Sequence, residues 1–214
     1  MTENHDDFAF EPVKGLPETP PEGEHILWQG RPDWWALTRE SLNLGWVSAY
    51  FVALALWRFG MLIDQVSLAS AFAASFPFIV LGGIVAALLL LIGVVQARST
   101  VYTITNRRVA MRIGAALTVT LNLPFTKIAR ADLSLRRNGT GTIALDPMDD
   151  TQLSYLVCWP HVRPWHIRKT KPALRCIPEA QTVATLLAEA AEARVSTPEA
   201  NRTGMPTKAH LAAE

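Results

Sequence analysis

The chain has 214 residues, half of them hydrophobic and 18% charged, with a net charge of +1. That charged fraction lies below the roughly 25% usual for soluble domains, and two cysteines are too few for a disulfide-stapled secreted scaffold. The near-neutral total hides an asymmetry: residues 1–43 hold 9 acids against 3 bases, and residues 97–177 hold 13 bases against 4 acids.

Residues 1–24 are acidic and studded with Pro12, Pro17, Pro20 and Pro21, a pattern that predicts extended chain. No basic n-region precedes an apolar core, so a signal peptide is not expected and the first insertion falls to a segment that stays in the protein. GEHILWQGRPDWWALTRE then places Trp28, Trp34 and Trp35 ahead of the first apolar run. Indole rings favour the headgroup level, which predicts an interfacial approach to a bilayer; the alternative is a folded edge of the soluble domain.

Two stretches are built to cross a membrane. Residues 76–95, FPFIVLGGIVAALLLLIGVV, carry no charge, and about twenty apolar residues at about 1.5 Å each match a hydrocarbon core of about 30 Å. Only a helix satisfies its own backbone there, and a soluble helix apolar on every face would need protein all round it. The first span is Leu44–Leu62, with Arg58 as its one charge, near enough to the helix end to snorkel. Residues 66–95 are too few for two further crossings and a turn, so two spans are expected in all, and whether residues 66–75 extend the second helix stays open at this point. Arg31 and Arg39 precede the first span, Arg98, Arg107, Arg108 and Arg112 follow the second, and the loop between offers only Arg58 against Asp64. The positive-inside rule then puts both termini in the cytoplasm of a multi-pass inner-membrane protein.

Beyond the second span, TVYTIT, RRVAMRI and ALTVTLNL read as strand, turn, strand, turn, strand. Further strands are expected at residues 126–135, 141–145, 152–159 and 173–177, seven in all, forming a compact antiparallel sheet or barrel. Pro178 and the spacing of Val183, Leu186, Leu187 and Ala190 predict a closing helix. Residues 195–214 lack periodicity and are expected to be a disordered tail. The fold class is therefore an α+β membrane protein: a cytoplasmic segment (1–43), a transmembrane hairpin (44–96), an antiparallel β domain with a C-terminal helix (97–194), and the tail.

YTITNRRVAMRIG, LPFTKIARADLSL and GTGTIAL resemble the bacterial pleckstrin-homology (PH) domain that accompanies membrane spans. FEPVKGLPE, ILWQGRPDWWAL and RPWHIRKTKPALRCIPEA are similar to the PuhB-type family of photosynthetic reaction-centre assembly proteins of purple bacteria. The resemblance runs over residues 8–193. It implies a non-enzymatic assembly role in the intracytoplasmic membrane, with reaction-centre and light-harvesting 1 subunits as partners and a homodimer compatible with that role. The alternative is a PH-domain membrane module that binds anionic lipid or signalling partners without a link to photosynthesis.

No other chemistry competes well with that role. Cys158, His161, His166 and Cys176 are soft or borderline ligands, but their spacing matches no paired zinc pattern and Pro160 and Pro164 stiffen the chain between them. Neither span contains any of the five histidines, which excludes pigment ligation by a membrane histidine, and no cofactor is implied. NGTGTIAL lacks the lysine-serine pair of a phosphate loop and reads as a hairpin turn. No nucleophile, base and orienter group together, so an enzyme is not expected. The informative surface is basic and aromatic. Arg98, Arg107, Arg108 and Arg112 would meet anionic lipid or an acidic partner, while Trp159, Arg163 and Trp165 form a second patch of hot-spot composition, joined by Trp28 and Trp34 at the approach. Nothing resembling a recognition helix or stacking sheet supports nucleic acid as a partner.

Overall fold

A computed structural model describes residues 13, 15–16, 18–114, 118–148, 153–167 and 169–196. The expectations for residues 1–12 and for the tail beyond residue 196 lie outside them. The fold is α+β, with two antiparallel sheets, a helical hairpin and a closing helix.

Strand β1 (Ile26–Gly30) leads into helix α1 (Trp34–Ser41), whose N-terminus is capped by Asp33 accepting from the Ala36 N–H at 2.7 Å. Asn43, at φ 52, turns the chain sharply from α1 into α2 (Leu44–Leu62); asparagine is among the few residues that tolerate this left-handed geometry. Ser67 caps α3 (Leu68–Ser99), a 32-residue helix about 48 Å long that absorbs residues 68–75 and contains Pro77. Both α2 and α3 are long and apolar enough to cross a membrane. They pack closely at Gly82, where a β-carbon would lie 2.7 Å from the Phe51 Cβ. A second close approach, at Gly93, lays α1 against the C-terminal end of α3: a β-carbon there would meet Thr38 Oγ1 at 1.8 Å.

One residue separates α3 from the β domain. Thr100 is followed directly by β2 (Val101–Thr105), which pairs with β3 (Arg108–Ile113), and β3 in turn pairs with β4 (Val119–Pro124). The fourth member of this sheet is β1, with Trp28 opposite Ile104 and Gly30 opposite Tyr102. Of the two readings of this stretch, the folded edge of the domain is the one that forms: the N-terminal segment supplies an edge strand. The second sheet comprises β5 (Ile128–Leu135), β6 (Gly141–Pro147) and β7 (Ala173–Ile177). Gly139, at φ 79, closes the hairpin between β5 and β6. No strand forms within residues 153–159; a short helix, α4 (Tyr155–Cys158), occupies that stretch. Among the described residues the strand count is again seven, because β1 replaces the expected one.

Every residue of β2 is buried, because both of its faces are covered. Tyr102 and Ile104 enter the core with Met111, Ile143, Leu145 and Leu174, and α5 (Ala180–Ser196) closes that core through Val183, Leu187 and Ala190 at helical spacing. Near the start of β2, Gly15, at φ +85, sits against Val101, where a β-carbon would lie 2.5 Å from Cγ1, and neighbouring Leu16 is 1% exposed.

Candidate functional site

The junction between α3 and the β domain carries a buried chain of polar groups. Thr100 Oγ1 donates to the Gln96 carbonyl at 2.8 Å, so its hydrogen is committed and it accepts from His161 Nε2 at 3.0 Å. At the other end of the chain the Arg175 N–H donates to the Tyr102 hydroxyl at 3.2 Å. That hydroxyl donates to His161 Nδ1 at 2.5 Å. The directions agree only if His161 is neutral with its proton on Nε2. Its pKa is pushed down from 6.5 to about 3, first by burial and then by the Arg175 charge, and burial pushes the Tyr102 phenol up. The last turn of α3 is thus wired by hydrogen bonds to β2, β7 and the segment after α4.

A second tether involves α1. Glu40 pairs with Arg136 in the β5–β6 turn and accepts from Cys176 Sγ at 3.2 Å. Burial and the Glu40 carboxylate together raise the Cys176 thiol to about 12. With the Asp33 N–H donating to the Cys176 carbonyl at 2.8 Å, α1 is fixed to both α3 and the second sheet.

The residues singled out from sequence do not form one site. Arg98 lies in the last turn of α3, and Arg112 sits opposite Val101, close to where α3 enters the domain. Arg107 and Arg108 lie at the far end of β2, about 13 Å or more along the strand. There Arg108 pairs with Glu24 at 2.7 Å, and Arg107 donates to the Glu22 carbonyl at 3.2 Å. The hairpin therefore splits a cluster that is contiguous in sequence, and its distal half holds the N-terminal segment. Trp28 packs against the core and across Gly30, so its indole serves the fold. Trp34 is half exposed at the start of α1. Arg163 pairs with Asp132 at 2.8 Å, beside Arg130, and these two arginines hold the Asp132 carboxyl below its usual range.

Trp159 and Trp165 sit on the connection between β6 and β7. Trp165 is 92% exposed at φ 65, and Leu156, Val157 and Ile167 are exposed with it. Sequence reasoning found the two tryptophans but missed these aliphatic neighbours, having assigned Leu156 and Val157 to a strand. It also missed the His161 chain, whose partners lie 59 and 61 residues away. His166 Nδ1 donates within its own turn to the Pro164 carbonyl at 2.8 Å. Among the described residues no group of three metal-ligating side chains occurs.

The class defined by this geometry is a two-sheet β domain continuous with a pair of long apolar helices. The chain belongs to the bacterial PH domain family, whose profile matches residues 43–191. It is similar to an uncharacterized 23.7 kDa protein in the puhA 5′ region of Rhodobacter capsulatus, with 46% identity over 195 residues, covering 90% of this chain and 91% of that protein. No solved structure matches the chain.

Proposed function

We propose that the protein is a membrane-anchored assembly factor for the photosynthetic reaction centre and its light-harvesting 1 ring. Helices α2 and α3 cross the inner membrane with both termini in the cytoplasm, and the PH domain acts by position against the inner leaflet. The observation that carries this reading is the single-residue connection between α3 and β2, reinforced by the buried Thr100–His161–Tyr102 chain. A domain held so tightly cannot search far from the bilayer; it can present a fixed surface to a subunit arriving in the membrane plane. The similarity to a protein of the puhA 5′ region, together with the resemblance of the N-terminal block and of residues 163–165 to the reaction-centre assembly family, supports the choice of partner.

The contacting surface is the connection carrying Leu156, Val157, Trp159, Trp165 and Ile167. Exposed apolar groups of this size next to charged ones mark interaction sites, and tryptophan dominates binding hot spots. The test is affinity capture of the full chain from membranes of photosynthetically grown cells. Wild type should retain reaction-centre or antenna polypeptides, whereas W159A/W165A, inserted at normal levels, should retain at most about a tenth as much. Wild-type capture without any such polypeptide, or a deletion strain with normal reaction-centre levels, would contradict the assembly role.

A further inference from the structure

Where α3 meets the domain, a cleft of about 560 Å³ opens between α1, the last turns of α3, the β5–β6 turn and the β7–α5 connection. Its floor is Ala97 and Thr140, its apolar wall Val94 and Trp34, and two arginines, Arg31 and Arg98, line it. Both arginines are exposed, and neither has a hydrogen-bond or ion-pair partner among the described residues. Asp33 also lines the cleft, but its Oδ1 accepts from the Ala36 N–H at 2.7 Å and its charge faces the positive end of α1.

Depth identifies the ligand. Val95 ends the apolar run of α3, and Arg98, the first charge of the helix, follows three residues later, about 4.5 Å further along. The headgroup layer on each side of a bilayer is roughly 5–8 Å thick, so Arg98 stands at phosphate level while Val94 faces acyl chain. Trp34 occupies the same level, where indole rings anchor.

We propose that this cleft binds the phosphodiester headgroup of an anionic phospholipid from the cytoplasmic leaflet. Arg31 and Arg98 clasp the phosphate, and one acyl chain descends along α3 beside Val94. The bound lipid also braces α1 against α3, fixing the height of the domain above the bilayer. The inference rests on the membrane-spanning hairpin proposed above but not on the identity of the protein partners.

The test is native mass spectrometry of the full chain, extracted from membranes and offered equal amounts of phosphatidylglycerol and phosphatidylcholine. Wild type should carry the anionic lipid at least about tenfold in excess, the effect expected of two basic side chains at headgroup depth. R31Q/R98Q should fall to within about twofold, while R31K/R98K, which keeps the charge, and R107Q, at the far end of β2, should retain the preference. Matched thermal unfolding of the four proteins separates ligand loss from misfolding. Equal binding of the two lipids by wild type, a preference that survives R31Q/R98Q, or full displacement by millimolar inorganic phosphate would overturn the lipid site. Release of the chain by alkaline carbonate would instead overturn the spanning hairpin itself.

Discussion

His161 is neutral because both ring nitrogens are committed in opposite senses, one accepting from Tyr102 and one donating to Thr100. Protonating it would leave two hydrogens facing each other at the Tyr102 hydroxyl, beside the buried Arg175 charge. The pH dependence follows. The folded-state pKa is depressed to about 3 from 6.5, so the unfolded chain binds the extra proton first as pH falls. The stabilisation is complete above about pH 6.5 and is lost progressively toward about pH 3. Asp132 and Asp146 have lowered pKa values, so their contribution is present above 3.8 and is lost only below it. Between pH 6 and 4, therefore, urea midpoints of wild type should fall faster than those of a His161→Gln variant; parallel curves would contradict the assignment. At neutral pH, Tyr102→Phe should cost about 1–3 kcal/mol in chemical denaturation, since it strands His161 Nδ1 and the Arg175 N–H.

Helix α1 is the element whose placement depends most on one small residue. Valine at Gly93 would put a β-carbon into Thr38 Oγ1 and drive α1 away from α3. Glu40 would then withdraw from Arg136 and Cys176, and the thiol would lose its cover. In G93V, Cys176 should alkylate at least about tenfold faster than in wild type at pH 8, with Cys158 unchanged; an unaltered rate would show that α1 holds its place by other contacts. This packing was hard to read from sequence because glycine inside an apolar helix marks a close approach without saying to what. The apolar helices themselves were legible, since hydropathy and length are local properties, and so were the hairpins at Asn106 and Gly139. Strand β1 was not, because Ile26, Trp28 and Gly30 alternate correctly but their partners lie more than seventy residues away, and the tryptophans also fit a membrane interface. The stretch around Tyr155–Cys158 is a short apolar run, in which strand and helix periods cannot be told apart. The basic cluster failed as a single site for a topological reason: Arg108 and Arg112, four residues apart in sequence, fall at opposite ends of the β2–β3 hairpin.

At the scale of the molecule, charge and hydropathy divide the chain into an acidic entry, an apolar hairpin and a basic β domain, and the fold folds the entry back onto the domain. Glu24 meets Arg108 and Glu40 meets Arg136, so part of the excess positive charge is spent internally. What remains near the end of α3 includes Arg31 and Arg98. In the proposed role such a distribution would hold the domain at the surface of an anionic leaflet and leave the Trp165 connection to the partner. The central claim is that α2 and α3 form a hairpin with the domain on the cytoplasmic side. Both native cysteines are buried, at 3% and 1% exposure, so introduced thiols can be read against a low background. The direct measurement is labelling by a membrane-impermeant maleimide of Asp64→Cys, in the connection between α2 and α3, and of Trp165→Cys, on the domain. In intact spheroplasts Asp64→Cys should label and Trp165→Cys should label only after permeabilisation. Labelling of Trp165→Cys without permeabilisation, or equal protection of both positions until lysis, would contradict the account.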